Sequence, residues 1–429
     1  MTSASDAAAP PAFDDSKVGR YRWVICGLLF VAVVINYVDR QMLGVLKPFM
    51  SEEMGWSETD YADIVFYFQA AYAIAYMLFG VFVDRVGARI GYATAFVIWQ
   101  VAHIAHAGAS SLGQFFAVRI ALGVGEAGNF PAAVKAVTEW FPKKERALAT
   151  GIFNAGANIG AIITPLVAPA IMLAWGWRAA FIITGVIGSL WLIAWLLIYR
   201  APEKHKRVSP AELAHIRQDP EDHDAKVGWM SVLPKRETWA YAAGKFLIDP
   251  VWWMLLFWLP DFFKKTYNLD VGTFALVLAA VYFISDIGSV AGGWMSSRLM
   301  KMGWSLNAAR KTTMLVFALC TLPYLFITQI NSLWLAVAVV GLVAAAHQAF
   351  SANLYTLPGD VFPRGAVGSV IGIGGMLGGV GGMIMAKSVG HILETTGGYG
   401  PIFAVCGVIY LVAVLVIHLL TPKMTPVKI

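Results

Sequence analysis

The chain has 429 residues, 58% of them hydrophobic and 14% charged. Soluble domains carry roughly 25% charged residues, so too few polar groups remain to clothe a globular surface, and a soluble enzyme is excluded. The net charge of +6 does not indicate a nucleic-acid partner, because the basic residues cluster at the ends of apolar blocks. Cys26, Cys320 and Cys406 lie far apart inside such blocks, which excludes a disulfide-built secreted scaffold.

Residues 1–16 are expected to be disordered, and residues 1–19, with Asp14 and Asp15 and no apolar core, do not read as a signal peptide. Apolar blocks of about 18–25 residues follow, each long enough as a helix to cross roughly 30 Å of hydrocarbon. Six run near 22–44, 60–83, 90–108, 112–135, 146–170 and 177–199. Between them and the next six lies a polar stretch, Arg200 to Arg236, with Pro202, Pro210, Pro220 and Pro234. Ser209 is placed there to cap a short helix over Pro210–Arg217. The second six run near 238–262, 272–297, 310–329, 331–355, 366–391 and 399–421. Barrel-like alternation is absent. The pattern predicts an all-α integral membrane protein of twelve transmembrane helices in two pseudo-symmetric six-helix bundles. Those bundles are 22–199 and 238–421, with a hinge loop at 200–237 and terminal segments at 1–21 and 422–429.

With the N-terminus in the cytoplasm, most of the 32 Lys and Arg residues fall on that side, and Lys47, Arg178, Lys264 and Lys265 fall outside. Both termini are therefore expected to be cytoplasmic. No Asn-x-Ser/Thr acceptor occurs, which leans towards a bacterial source and hence a bacterial cytoplasmic membrane. Gly372, Gly374, Gly375, Gly381 and Gly382 crowd the eleventh span, and Gly151, Gly156, Gly160, Pro165 and Pro169 mark the fifth. Tight packing and gating both account for them.

After the second span the chain reads Gly80-Val-Phe-Val-Asp84-Arg85-Val-Gly87-Ala-Arg89, a helix end closed by a tight turn carrying one carboxylate and two guanidiniums. Such a cluster can latch two bundles on one face and release when they rock apart. An echo follows the eighth span, from Gly293 through Arg298 and Lys301 to Gly303. This loop, with its echo, resembles the signature of the major facilitator superfamily, although Ala88 stands where a basic residue is common. Narrower stretches resemble the anion:cation symporter family: Asn36-Tyr37-Val38-Asp39-Arg40, Arg119 with Gly123-Val-Gly125-Glu126-Ala-Gly128, and Trp140-Phe-Pro-x-x-Glu145-Arg146. Asp249-Pro-Val-Trp252-Trp253 and the run from Ala346 to Tyr355 resemble its hexuronate and galactonate branch. The resemblance implies alternating access around a central site between the bundles. It also implies proton-handling roles for Asp39 and Glu126 and anion-handling roles for Arg40 and Arg119.

The charges inside spans carry the same reading without the family. Each costs on the order of 3 kcal/mol at a bilayer centre, so such residues pair and face cavities. Asp39 lies about 24 Å along span one from Trp23, and Arg119 roughly 10 Å below the outer edge of span four. They share a depth, so an Asp39–Arg119 ion pair is available. Glu126 lies two turns beyond Arg119 on the same face. A permanent ion-pair lattice between spans one and four is the structural alternative. On the functional reading, Arg40 and Arg119 bind a substrate carboxylate, while Asp39 and Glu126 carry the coupling proton.

Tyr37, Tyr72, Tyr76, Trp253, His347, Gln348 and Asn353 are candidates for recognising substrate hydroxyls. Lys245 and Asp249 are spaced to pair, and Asp286 is an unexplained acid. Asn154 and Asn158 are either site amides or interhelical glue. His103 and His106 stand three apart, a spacing a metal favours, with no third ligand evident. The eight histidines are scattered, with His205, His215 and His223 in the hinge, so an enzyme site is not assembled. The expected function is proton-coupled import of an organic anion, a hexuronate or related sugar acid. An aromatic carboxylate such as phthalate is the runner-up, and antiport or drug efflux a further rival. The expected partners are that anion and the bilayer, with a monomeric protein, the proton as coupling ion, no cofactor or metal and no nucleic acid.

Overall fold

The computed structural model describes residues 19–218 and 229–427, exclusive of the side chains at 81, 84, 143–144, 146–148, 229, 364–365 and 368. The expected disorder of residues 1–16, and His223, fall outside the described residues. All regular structure among the described residues is helical. The first half contains α1 (Tyr21–Met54), α2 (Glu58–Ala105), α3 (Leu112–Glu126), α4 (Asn129–Trp140), α5 (Lys143–Trp175) and α6 (Trp177–Ile198). Short helices α7 (Pro210–Ile216) and α8 (Trp229–Val232) lie in the hinge. The second half contains α9 (Arg236–Tyr267), α10 (Val271–Lys301), α11 (Leu306–Leu319), α12 (Leu333–Val361), α13 (Arg364–Thr396) and α14 (Gly400–Leu420).

Ten of the twelve expected spans are helices long and apolar enough to cross a membrane. The third and fourth expected spans are helical as well. The third is the later part of α2, and the fourth is divided between α3 and α4 at Ala127-Gly128. The ninth ends early as α11, and a 3-10 stretch, Leu322–Gln329, completes it. Large apolar side chains face outwards, with Leu197 71% and Val290 75% exposed. In water that surface would be prohibitive; in lipid it costs nothing.

Helix α2 turns sharply at Gly87, whose φ of 80° and ψ of 164° no L side chain adopts easily. At the echo in the second half, Gly303 has φ 90°. The repeated motif is thus a repeated backbone turn. Arg89 donates to the carbonyl of Leu196 at 2.6 Å, and Trp195 Nε1 donates to the carbonyl of Arg89 at 3.0 Å. Both partners lie in α6, so Arg89 braces its own half where a latch between halves was expected. Arg85 is exposed, Gly80 is half-buried, and the Asp84 side chain lies outside the described residues.

The halves meet chiefly through α1 with α9, α2 with α13, and α5 with α10. The last two contacts exchange counterparts, as a duplicated fold requires. Close approach explains part of the glycine usage: a Cβ on Gly156 would lie 2.6 Å from the carbonyl oxygen of Phe30, and one on Gly381 2.6 Å from that of Phe246. On the face away from the hinge, the halves are clasped by charge. Lys47 Nζ contacts Asp261 at 2.7 Å and Glu58 at 3.0 Å, and Lys265 contacts Asp261 at 3.0 Å and also Glu58. Tyr399 donates to Asp261 at 2.6 Å, Tyr61 donates to the carbonyl of Phe257 at 2.8 Å, and Lys387 pairs with Asp63.

On the hinge face, α7 forms where Ser209 was expected to cap it, the Ser209 hydroxyl accepting from the Glu212 amide at 3.1 Å. It docks on the first half through Arg22. Arg22 Nε donates to Glu145 Oε2 at 2.7 Å, its amide donates to Glu212 Oε1 at 3.0 Å, and His215 Nε2 lies 3.0 Å from Glu145 Oε1. Burial pushes the Glu145 carboxyl up, but bonds from Arg22 and His215 outweigh it and hold the group below the usual glutamate range. A depressed folded value means the contribution is present above the unfolded value of about 4.3 and lost as pH falls through the folded one. Glu145→Gln should therefore speed hydrogen exchange of the α7 amides severalfold at pH 7. Native and variant protection should converge below about pH 4, with intrinsic exchange rates divided out.

Candidate functional site

The intramembrane charges of the first half converge beside the seam with the second. Arg40 of α1 is 3% exposed, donates from Nε to Glu126 Oε2 at 2.7 Å, and donates from Nη2 to Asn36 Oδ1 at 3.2 Å. Asn36 precedes it by one turn on the same helix face. The guanidinium carbon lies 4.9 Å from the ring of Tyr72, 5.1 Å from Tyr37, 5.4 Å from Trp253 and 5.8 Å from Phe68. Trp253 belongs to α9, so this cage is built by both halves. Four aromatic faces replace part of the lost hydration, and the rest falls to Glu126.

Arg119 of α3 is fully buried, and none of its three nitrogens has a hydrogen-bond partner. Its guanidinium carbon lies 4.9 Å from the Phe68 ring and 5.8 Å from that of Phe257. Phe68 thus stands between two cations, and Trp253 stacks on Phe257 at 5.8 Å and 8°. Five donors on Arg119 remain to be satisfied. A planar anion matches that requirement.

The expected Asp39–Arg119 pair does not form. Asp39 Oδ2 accepts from Trp99 Nε1 and Gln100 Nε2, each at 3.0 Å, and Oδ1 lies 3.3 Å from His103 Nε2. Successive residues of a helix point about 100° apart. Asp39 therefore turns to α2 while Arg40 turns to α3. Residue counts did not give the direction each side chain takes. Trp99, Gln100 and His103 share one face of α2. The signal for them was three polar or amphipathic groups in an otherwise apolar helix.

In the second half, Lys245 and Asp249 pair at 2.8 Å as their spacing predicts. Lys245 Nζ also donates to the Tyr355 hydroxyl at 2.7 Å. The Tyr76 ring lies 5.8 Å from that of Tyr72, tilted by 43°, and Tyr76 is within electrostatic reach of Lys245 and Tyr355. The Lys245–Tyr355 pair thus extends the site into the second half, and Tyr355 was not among the expected residues. His347 stacks on Trp252 at 5.2 Å and 11°, and its Nδ1 lies 2.7 Å from the Tyr410 hydroxyl. Gln348 is half-buried. Asn353 is bound elsewhere than at Arg40 or Arg119. It donates to the carbonyls of Gly292 and Ala349 at 3.0 and 2.9 Å and accepts from Arg310 at 3.3 Å. Its amide therefore ties α10, α11 and α12 together, and a helix-facing direction again decided what composition could not. Asp286 of α10 and Asn158 of α5 lie within electrostatic reach of each other across the α5–α10 contact.

A profile described as Major Facilitator Superfamily matches residues 29–386. The hexuronate transporter of Escherichia coli K12 is 32% identical over 407 residues, covering 94% of this chain and 94% of that protein. The galacturonate transporter of Dickeya chrysanthemi is 31% identical over 290 residues, covering 66% and 84%. The D-galactonate transporter of Escherichia coli O6:H1 is 30% identical over 400 residues, covering 90% and 91%. Among solved structures, a bacterial homologue of the human lysosomal transporter Spinster, in an inward-facing and occupied conformation, superposes with a TM-score of 0.72. It shares 19% identity, with 94% of this chain and 97% of that one covered; this likeness concerns the fold. The length of the profile match, the helical architecture and the repeated Gly87 and Gly303 turns lead to one conclusion: the chain belongs to the major facilitator superfamily and is a multi-pass membrane transporter rather than an enzyme.

Proposed function

We propose that this protein is a proton-coupled symporter that imports an organic anion, a hexuronate or related sugar acid, by alternating access. Its membrane is the bacterial cytoplasmic one, with the hinge face inside. The single observation that carries the reading is Arg40, caged by aromatic rings from both halves and ion-paired to Glu126 at 2.7 Å. A substrate carboxylate arriving in the cage competes with Glu126 for the same guanidinium, and Arg119 adds unused donors nearby. Glu126 then loses its cation in apolar surroundings, and protonation removes the resulting cost. Anion binding and proton binding therefore favour each other, and by linkage the help is mutual. The charged clasp through Lys47, Glu58, Asp261 and Lys265 closes the outward side in this state. Tyr76, Lys245 and Tyr355 reach the substrate's hydroxyl end from the other side. The names of the sugar-acid relatives agree with this chemistry.

The test uses purified protein in vesicles with an imposed inward proton gradient. Labelled glucuronate, galacturonate and galactonate should accumulate, and benzoate and phthalate should not. Glu126→Gln should lower net uptake by at least about tenfold while preserving exchange of internal for external substrate, since a neutral side chain reproduces only the protonated form. Uptake by the native protein that ignores the gradient would falsify the symport reading, and accumulation of phthalate alone would transfer it to an aromatic acid.

A further inference from the structure

Two histidines at the end of α2 and just beyond it are left over by the mechanism above, and one of them lies against Asp39. His103 Nε2 is 2.8 Å from Thr184 Oγ1 and 3.3 Å from Asp39 Oδ1. The Thr184 hydroxyl donates to the carbonyl of Ala180 at 2.7 Å. Having only one hydrogen, it offers His103 a lone pair, so the imidazole hydrogen resides on Nε2. Nδ1 is then a bare acceptor, buried and without a partner. On the other residue, Asp39 Oδ2 is saturated by Trp99 and Gln100, while Oδ1 has no hydrogen-bond partner. The oxygen free to take a proton is the one that faces the imidazole.

We propose that His103 is the relay through which Asp39 gains and loses its proton, with Thr184 as the switch that sets the imidazole tautomer. This rests on the symport reading. Inward, a proton joins Nδ1 of His103, and the hydrogen on Nε2 passes to Oδ1 of Asp39. The imidazole begins and ends neutral, and the aspartate gains one hydrogen, so charge and atoms balance. Nε2 is left bare, and the Thr184 hydroxyl rotates from the Ala180 carbonyl to donate to it. Once the bundles have rocked open to the hinge side, the same steps run in reverse and release the proton from Nδ1 to that side, with Thr184 returning to Ala180.

His106, one turn further on in the 3-10 turn that follows α2, extends the arrangement away from the hinge. Its Nδ1 donates to the carbonyl of Ala102 at 2.8 Å, its Nε2 is bare and unpartnered, and its ring stacks on Phe181 at 5.0 Å and 6°. The two imidazole centroids are 6.4 Å apart, a gap that one bridging water spans. The charged and titratable groups facing this pair are Asp39 from α1 and Arg119 and Glu126 from α3, with Gln100 on α2 and Thr184 on α6 as neutral partners. Among the described residues no cluster of three metal-ligating side chains forms here.

The experiment compares gradient-driven net uptake of labelled glucuronate with glucuronate exchange, each between pH 5.5 and 8. The proteins are native, His103→Gln, Thr184→Val and Thr184→Ser, each checked for a native-like melting curve. His103→Gln keeps a hydrogen-bonding side chain but cannot relay, and net uptake should fall at least tenfold with exchange reduced less than threefold. Thr184→Val removes the switch yet keeps the histidine; it should lower net uptake severalfold and shift its pH profile, whereas Thr184→Ser restores both. Net uptake and pH profile within twofold of native for Thr184→Val and His103→Gln would overturn the relay while leaving symport intact. Exchange falling in step with uptake would overturn it too, because that is the mark of a merely structural prop. Native vesicles whose glucuronate uptake is absent or indifferent to the gradient sink the symport reading, and the relay with it. If His103→Gln does not melt as native, Thr184→Val alone decides.

Discussion

Arg40→Lys is expected to lower gradient-driven transport by at least about a hundredfold while the protein remains folded. A hundredfold corresponds to about 2.7 kcal/mol of lost transition-state stabilisation, and the geometry accounts for that size. The guanidinium is a plane. Its Nε serves Glu126, its Nη2 serves Asn36, and its faces meet Tyr37, Tyr72 and Trp253. A lysine ammonium supplies the charge as a point, so it can hold Glu126 or a carboxylate but cannot present two parallel donors to an incoming acid group. Exchange and net uptake should both fall, which separates this variant from Glu126→Gln. Arg40→Met should behave differently again: it strands the buried Glu126, a loss of about 3–5 kcal/mol, and should show as reduced yield and a lowered melting temperature. Transport by Arg40→Lys within a few fold of native would show that charge alone suffices, and the cage would lose its assigned role.

The second large effect concerns Arg119, and its sign is opposite for stability and for activity. Arg119→Met should raise the melting temperature of the substrate-free protein and reduce transport by more than about a hundredfold. A buried ion carries a desolvation cost of several kcal/mol even after relaxation. Against it stand contacts with Phe68 and Phe257 at 4.9 and 5.8 Å, worth about 0.5–2 kcal/mol each, and a diffuse attraction to Glu126. No hydrogen bond offsets the remainder. Methionine fills similar volume without charge, so about 2 kcal/mol or more of stability should return. The native protein, by contrast, should gain stability on adding a transported acid, through mass action, and Arg119→Met should lose that gain. Thermal unfolding with and without glucuronate measures both. A variant that melts lower than native in the absence of substrate would mean that Arg119 is a structural tie.

These two predictions differ because the arginines differ in partners, a distinction invisible in the linear chain. Both were identifiable from the sequence as charges inside apolar blocks, where each needs a reason to be present. Asp39 and Glu126 were identifiable on the same ground. The pairing of Lys245 with Asp249 followed from i,i+4 spacing. Assignment of a partner failed at Asp39, and the contacts of Asn353 were not foreseen, because azimuth around a helix depends on how neighbouring helices are packed. His103, Trp99 and Gln100 claim Asp39, and the carbonyls of Gly292 and Ala349 claim Asn353.

The sequence by itself determined what local physics controls. Apolar block length set the helical membrane class, the polar stretch set the hinge, and the Ser209 hydroxyl set the start of α7. Glycine set the turns at Gly87 and Gly303, because their positive φ values are a property of single residues. Tertiary structure alone decided which charges pair between helices, that the fourth span is split at Ala127-Gly128, that Trp253 crosses the seam to Arg40, and that Arg89 braces its own half. The physical reason is that these outcomes depend on relative rotations of helices far apart in the chain. Such rotations are fixed by many small packing contacts at once, and no short stretch of residues encodes them.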